Sequence, residues 1–351
     1  MIMITIKDIA KATNVSDSTV SIVLNGKAKE RKISMHTQQK VIDAAQTLGY
    51  RPNLSARRLR QELPCKPAIA LYWSSDVSLI RVMQGLKIAS NEIDIDYDLI
   101  IRNYIPRQLK EEKELAIPNL YAGIIVLNAT DDDIAYLESL PFTPPIVLCN
   151  RLSKRYATVF IDSKKAGEQI ATVFKKNHHS NVAIMLTENK EQHIPKKIQS
   201  FLEYAETKGI VIQKEHIFRS ERSIQGGISS AKALLNCPNP PKAILCSNDY
   251  IALGVCYYFQ QMQIKIPEDY EILALSIGNS ELLRYSYPPI STMDIPWEEI
   301  AAKSLHFLIE SFQIGSYSPK HIAIDTPFYE RISCPIDKIL SPRSDIENPN
   351  T

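Results

Sequence analysis

The chain has 351 residues, 44% hydrophobic and 23% charged, with a net charge of +2. That length suits two or three domains at roughly one per ~150 residues, and no apolar run approaches the ~20 residues of a membrane span. MIMITIK lacks a signal peptide's apolar core, and the six cysteines form no CxxC pair and have no His at zinc spacing, so a reduced, cytoplasmic chain without a metal site is expected. The charge is unevenly placed. Residues 1–60 hold 6 Lys and 5 Arg against 4 acidic residues, or +7, while the remaining 30 basic and 35 acidic side chains give −5. A basic head on a mildly acidic body suits a polyanionic partner for the head alone.

Thr5 is placed to cap a first helix, with Asp8 three residues on. Ile6, Ile9 and Ala10 follow at helical spacing until Asn14. Ser16 caps a second helix whose apolar face is Val20, Val23 and Leu24, closed by Asn25-Gly26. Two short helices joined by a tight turn, the second opening on small polar residues, predict a helix-turn-helix with its second helix in the major groove. A third helix is expected from Ser34 to Leu48, stopped by Gly49. After Pro52, Asn53–Arg60 reads as one or two turns of helix, too short to persist alone in water. Residues 62–67 are a proline-broken linker.

From Ala68 the chain alternates between strands and helices. Apolar runs at 68–73, 98–102, 123–127, 145–149, 182–186, 242–247 and 271–276 read as buried parallel strands. Amphipathic stretches at 78–91, 107–116, 131–139, 164–177, 194–208, 225–236, 250–263 and 297–313 read as helices between them. The expected fold class is α/β: a helix-turn-helix head and hinge, then two doubly wound parallel-sheet lobes with chain crossings near 158–163 and 290–296. Ligands in such sheets bind at the carboxyl ends of strands. The expected units are a head at 1–51, a hinge and linker at 52–66, a two-lobed ligand-binding and dimerisation body at 67–335, and a tail at 336–351 with little order.

The run Thr5-Ile6-Lys7-Asp8-Ile9-Ala10, with Val15-Ser16, Thr19-Val20-Ser21, Asn25-Gly26, Tyr50-Arg51-Pro52-Asn53, Arg57 and Leu59, resembles the lactose-repressor/galactose-repressor (LacI/GalR) family of bacterial transcription regulators. Looser landmarks run through the body: Asp162 with Gly167, Ser247 to Val255, Ile266-Pro267-Glu268-Asp269, Pro289 with Ser291-Thr292, and Arg331 with Ser333. The resemblance covers about residues 4–335 and implies a homodimeric regulator, most often a repressor, on a palindromic double-stranded DNA operator. Its body is similar to periplasmic sugar-binding proteins, and its ligand alters DNA affinity.

Site roles follow from that resemblance together with side-chain chemistry. Asp17, Ser18 and Ile22 fall where the family contacts bases, and Ser, Asp and Ile can meet base edges and a thymine methyl. Thr5, Ser16, Thr19, Ser21 and Asn25 suit phosphate oxygens. The charge-rich loop at 27–33 could add backbone contacts or simply be solvated. In the hinge, Asn53, Ala56, Arg57 and Leu59 resemble the family's helix that forms on DNA, with Leu59 as a wedge in the minor groove. In the body the implied effector residues are Trp73, Ser75, Asn128 and Asn150 from the first lobe, and Lys197, Arg222, Asn248 and Ser276 from the second. Trp73 could stack on a ring or belong to the core. Asn150 and Ser276 stand where the family often has carboxylates, and Lys197 where it often has arginine. Fewer acceptors beside retained cations point to an anionic effector, such as a phosphorylated or carboxylated sugar derivative.

No catalytic residue is assigned, because the chain has no GxSxG elbow, GxGxxG turn, Walker loop or HExxH. No cofactor, metal or membrane partner is expected. Gly226-Gly227 reads as helix packing or a turn, and His178-His179 as a turn before a strand. Two alternatives stay open: a cytoplasmic small-molecule binding protein with no regulatory DNA binding, and a constitutive repressor whose cleft has degenerated.

Overall fold

Apolar residues at helical spacing build a three-helix head from α1 (Ile6–Thr13), α2 (Asp17–Leu24) and α3 (Met35–Thr47). Ile9, Ala10, Val20, Val23, Val41 and Ala45 meet in its core, with Val15 and Ile33 at the margin. Asn14 ends α1 in the left-handed region, at φ 54°, a conformation asparagine tolerates better than most residues. This computed structural model describes residues 6–24, 28, 31–47, 66–74, 78–93, 96–117, 120–140, 144–188, 194–278, 280–314 and 319–336.

The body holds two six-stranded sheets. The first lobe contains β1 (Ala68–Trp73), β2 (Asp98–Asn103), β3 (Gly123–Leu127), β4 (Ile146–Cys149) and β5 (Ala157–Ile161), flanked by α4 (Leu79–Glu92) and α5 (Asp131–Ser139). The chain then enters the second lobe through α6 (Ser163–Lys176), β6 (Val182–Thr187), α7 (Lys196–Thr207), β7 (Ile217–Ser220) and α8 (Ile224–Leu235). That lobe continues with β8 (Ala243–Cys246), α9 (Asp249–Gln261), β9 (Glu271–Ser276), α10 (Ser280–Arg284) and β10 (Ser291–Asp294). α11 (Trp297–Ile314) returns to the first lobe, where β11 (His321–Ile324) follows, and β12 (Phe328–Tyr329) goes back to the second.

The sheet orders are β11-β5-β4-β3-β1-β2 and β12-β10-β9-β8-β6-β7. Every pairing is parallel except that of β12 with β10. Near-continuous burial along β1, β3, β4, β6, β8 and β9 explains their uniform apolarity, since both faces of a parallel sheet are covered. α11 belongs to the first lobe's core: Trp297, Ile300, Leu305 and Leu308 pack with Ile69, Leu71, Ile125 and Val147. Among the described residues no helix is long and apolar enough to cross a membrane.

Three expectations need correction. The 107–116 segment is not one helix but two short 3-10 turns, at 109–111 and 113–116. Its backbone is diverted because the Asp133 carboxylate accepts the N–H of Arg107 at 3.0 Å and of Leu109 at 3.1 Å, and Arg107 itself is left-handed at φ 72°. The crossings fall where expected, near 162 and 295–296, but the stretches leading into them are strands, β5 and β10, that the sequence reading did not list. The chain crosses a third time between β11 and β12, two short edge strands too small to carry a strand pattern.

Candidate DNA-reading head and interlobe site

The recognition helix is fixed by its first turn. Ser16 Oγ accepts the Thr19 N–H at 3.1 Å and lies 2.8 Å from Thr19 Oγ1, satisfying a helix-end donor that would otherwise be orphaned. The same Ser-x-x-Thr arrangement opens α3, where Ser34 Oγ accepts the Thr37 N–H at 3.2 Å. Val20 and Val23 turn into the core, which leaves Asp17 and Ser18 exposed and Thr19, Ser21 and Ile22 part-exposed. Ser16, Asp17, Ser18, Thr19, Ser21 and Ile22 therefore occupy one helix start. Lys7, Lys11, Arg31 and Lys32 are exposed around it. Thr5, Asn25, Asn53, Ala56, Arg57, Leu59 and, in the body, Ser75 lie outside the described residues.

The expected effector residues among the described ones sit at carboxyl ends of strands, in the loops that follow them, or at helix starts beyond them. Trp73 ends β1, half-buried against the first lobe's core. Asn128 and Asn150 follow β3 and β4 and are both left-handed, at φ 54° and 59°. Each turns its chain where the strand stops: the Asn128 N–H reaches the Cys149 carbonyl at 3.2 Å, and that of Asn150 the Val159 carbonyl at 2.7 Å. Asn248 caps α9, its Oδ1 accepting the Ile251 N–H at 3.1 Å while its Nδ2 donates to Thr187 Oγ1 at 2.8 Å. Ser276 ends β9, wholly buried, in register with Asp294 of β10. Arg222 lies between β7 and α8, and Lys197 in the first turn of α7.

The charges that organise the site include residues the sequence reading passed over. Arg81 of α4 donates to both oxygens of Asp294 at 2.9 and 2.8 Å, and to both of Glu298 at 2.7 and 2.6 Å. Asp294 belongs to the second lobe's sheet and Glu298 to α11, so this guanidinium bridges the lobes. Burial works against its charge, but the two carboxylates override that and hold it cationic. Burial also pushes the Asp294 carboxyl up from its ordinary value, and Arg81 opposes this. The bidentate geometry is that of a carboxylate ionised at neutral pH. A second tie is neutral: Trp297 Nε1 donates to the Ile277 carbonyl at 2.9 Å.

Arg151, one residue beyond Asn150, is pinned on two carbonyls, Nε to Ala129 at 2.7 Å and NH1 to Asn150 at 3.0 Å. Burial lowers its pKa, with Asp131 and Tyr104 opposing. Lys197 is lowered to about 7, first by desolvation and then by the charge of Arg151, with Asp294 pulling the other way. The residue as a whole is half-buried. Arg151 and Asp294 carried one usable sequence signal, charged side chains at or beside strand ends, whereas Arg81 lies in the first turn of α4.

The head matches the model of the bacterial regulatory proteins of the lacI family over residues 5–53, and residues 171–334 match the periplasmic binding protein-like domain. A LacI family transcription regulator from Clostridium acetobutylicum is 35% identical, with 76% of this chain and 100% of that one covered and a TM-score of 0.71. The chain belongs to the LacI family. The probable HTH-type transcriptional repressor ExuR of Bacillus subtilis (strain 168) is 28% identical over 338 residues, 94% of this chain and 98% of that protein. The transcriptional regulator CelR, solved as a cellobiose complex, shares the fold at 18% identity and a TM-score of 0.64, over 94% of this chain and 99% of that one. This LacI-family chain is thus a DNA-binding transcription regulator, and its curated relatives are repressors rather than enzymes.

Proposed function

We propose that this regulator is a repressor that binds a palindromic operator as a homodimer and changes its DNA affinity when a small anionic metabolite enters between its lobes. The observation that carries this reading is the capped, exposed start of α2 on the same chain as a two-lobed body whose polar residues gather at strand ends. The proposed units are the head (1–51), hinge (52–66), body (67–335) and tail (336–351). Ser18, Asp17 and Ile22 read bases, while Ser16, Thr19 and Ser21, with Thr5 and Asn25, contact phosphates. The hinge residues Asn53, Ala56, Arg57 and Leu59 meet the minor groove.

Pairing is supported by apolar side chains exposed on both lobes: Ile80 and Ile88 on α4, and Tyr257, Tyr285 and Tyr287 on the second lobe. A two-fold pair places half-sites about one helical turn apart, ~34–36 Å. CelR's cellobiose complex supports a sugar-like ligand. Asn150 and Ser276, beside Lys197 and Arg222, support an anionic one. Selection from random duplexes tests the DNA reading. The expected result is enrichment of a palindrome bound ~10³-fold or more tighter than scrambled DNA, and equal affinity for both overturns it.

A further inference from the structure

Each lobe has hydrophobic cores of its own, so rotation about the three crossovers is the softest motion open to the body. The crossovers differ in how firmly they are held. Arg81 spans the one at 295–296. Asp294 stands just before it in the second lobe's sheet and Glu298 just after it in α11, and one guanidinium holds both carboxylates through bonds of 2.6 to 2.9 Å. The side chains of Arg81 and Asp294 are 11% and 4% exposed, so solvent screens this pair little. Its base is rigid as well: a Cβ added to Gly85, one turn on from Arg81, would strike the Glu298 backbone, so α4 and α11 are in close contact there. Two further bonds join the lobes at the same place, from the Ile295 N–H to the Ser276 carbonyl at 3.0 Å and from Trp297 Nε1 to the Ile277 carbonyl at 2.9 Å. The other two crossovers are held differently. Among the described residues the ion pair beside them is Lys165–Asp325, 3.5 Å long and 71% and 89% exposed, a kind that contributes little.

We propose that the 295–296 crossover is the fixed pivot of the body, that the chain at 162 and 325–327 flexes around it, and that Arg81 is the positioning residue that pins it. The strands feeding the crossovers, β5, β10, β11 and β12, lie at one side of their sheets, and β2 and β7 form the opposite edges. Rotation about the pin moves those far edges most and the Asp294 joint least. The cleft therefore opens as a wedge that widens away from the pin, and the lobes do not draw apart in parallel. A ligand that closes the wedge turns the first lobe, where the linker enters at β1, about one axis instead of several. That consequence rests on the ligand-controlled reading above; the pivot itself does not.

The distance between Gln108 and Gln225, exposed positions beyond β2 and β7, reads this motion. Gln108→Cys and Gln225→Cys carry spin labels in a full-length chain that also has Cys65→Ser and Cys237→Ser. Labelled chains are diluted into unlabelled ones, so that pulsed electron spin resonance reads distances within one chain. The otherwise unaltered protein should give a narrow distribution. Arg81→Met and Asp294→Asn, which lose the tie between lobes, should broaden it at least about twofold, while Glu298→Gln, which keeps that tie, should not. Arg81→Met strands two carboxylates and lowers Tm for that reason alone. Combining it with Asp294→Asn and Glu298→Gln removes both charges, so this triple variant should regain most of the lost Tm and keep the broad distribution. Recovery of Tm and width together would make Arg81 merely structural and overturn the proposal. A narrow distribution in Asp294→Asn or in the triple variant would overturn it as well. No DNA or ligand enters the measurement, so its failure leaves the operator reading standing, and that reading falls only to the duplex selection.

Discussion

Glu271 shows how much a single side chain can carry. It opens β9, only 3% exposed, and its Oε2 accepts from Asn177 Nδ2 at 2.5 Å, with His179 Nε2 at 3.0 Å and Cys334 Sγ at 3.5 Å. Burial alone would raise its pKa; hydrogen bonds from His179 and then Asn177 outweigh burial and hold it below the ordinary 4.5. A carboxyl depressed in the folded state contributes stability that is complete above the unfolded value and disappears as pH falls through the folded one. The Tm of the wild type should therefore drop on acidification below about 4.5. Glu271→Gln should flatten that drop and lower stability at neutral pH by about 1–3 kcal/mol. Parallel Tm–pH curves for the two proteins would show that Glu271 is not the group responsible. The sequence reading placed His178-His179 in a turn before a strand, as found, but the His179–Glu271 contact spans residues far apart in the chain and only folding brings them together.

Among elements, the second lobe's helices approach closely where glycines face each other. A Cβ added to Gly254 of α9 would meet the Ile224 carbonyl and Gly227 Cα, and one on Gly227 of α8 would meet the Ile251 carbonyl. Gly254→Ala should therefore lower stability by about 1–3 kcal/mol through overpacking, where an ordinary exposed helix position would gain from the same change. A Tm at or above wild type would refute this. Gly226-Gly227 had been legible as packing or a turn, because two adjacent glycines in an amphipathic stretch need a reason. Strands were legible in proportion to burial: GIIVL and VAIML stand out because both faces are covered. STMD is just as buried, yet its Ser, Thr and Asp hide it, since those side chains serve the crossover: Ser291 Oγ donates to the Arg331 carbonyl and Asp294 pairs with Arg81. The candidate site was legible where one residue type at a strand end suffices, as with Asn128 and Asn150. It was illegible where a role depends on a partner from another element, as with Arg151, Asp294 and Arg81.

At the scale of the whole molecule, the lobes are joined by an ion network as well as by chain. Arg81→Met leaves two carboxylates partly or wholly buried without their cation, an expected loss of about 3–5 kcal/mol. Adding Asp294→Asn removes one stranded charge, so the double variant should be more stable than the sum of the singles predicts, and strict additivity in denaturant unfolding would show that the two are not coupled. The return of α11 and β11 to the first lobe has a consequence for biosynthesis. The apolar faces of β1, β3 and β4 await a helix ending at Ile314, and the sheet's outer edge awaits residues 321–324. At about 5–20 residues per second, some 8–30 s of translation separate the end of β5 from the end of that helix. The first lobe to leave the ribosome therefore stays open until nearly the whole chain has been made, and Ile69, Leu71, Ile125 and Val147 pass through that interval without α11 over them.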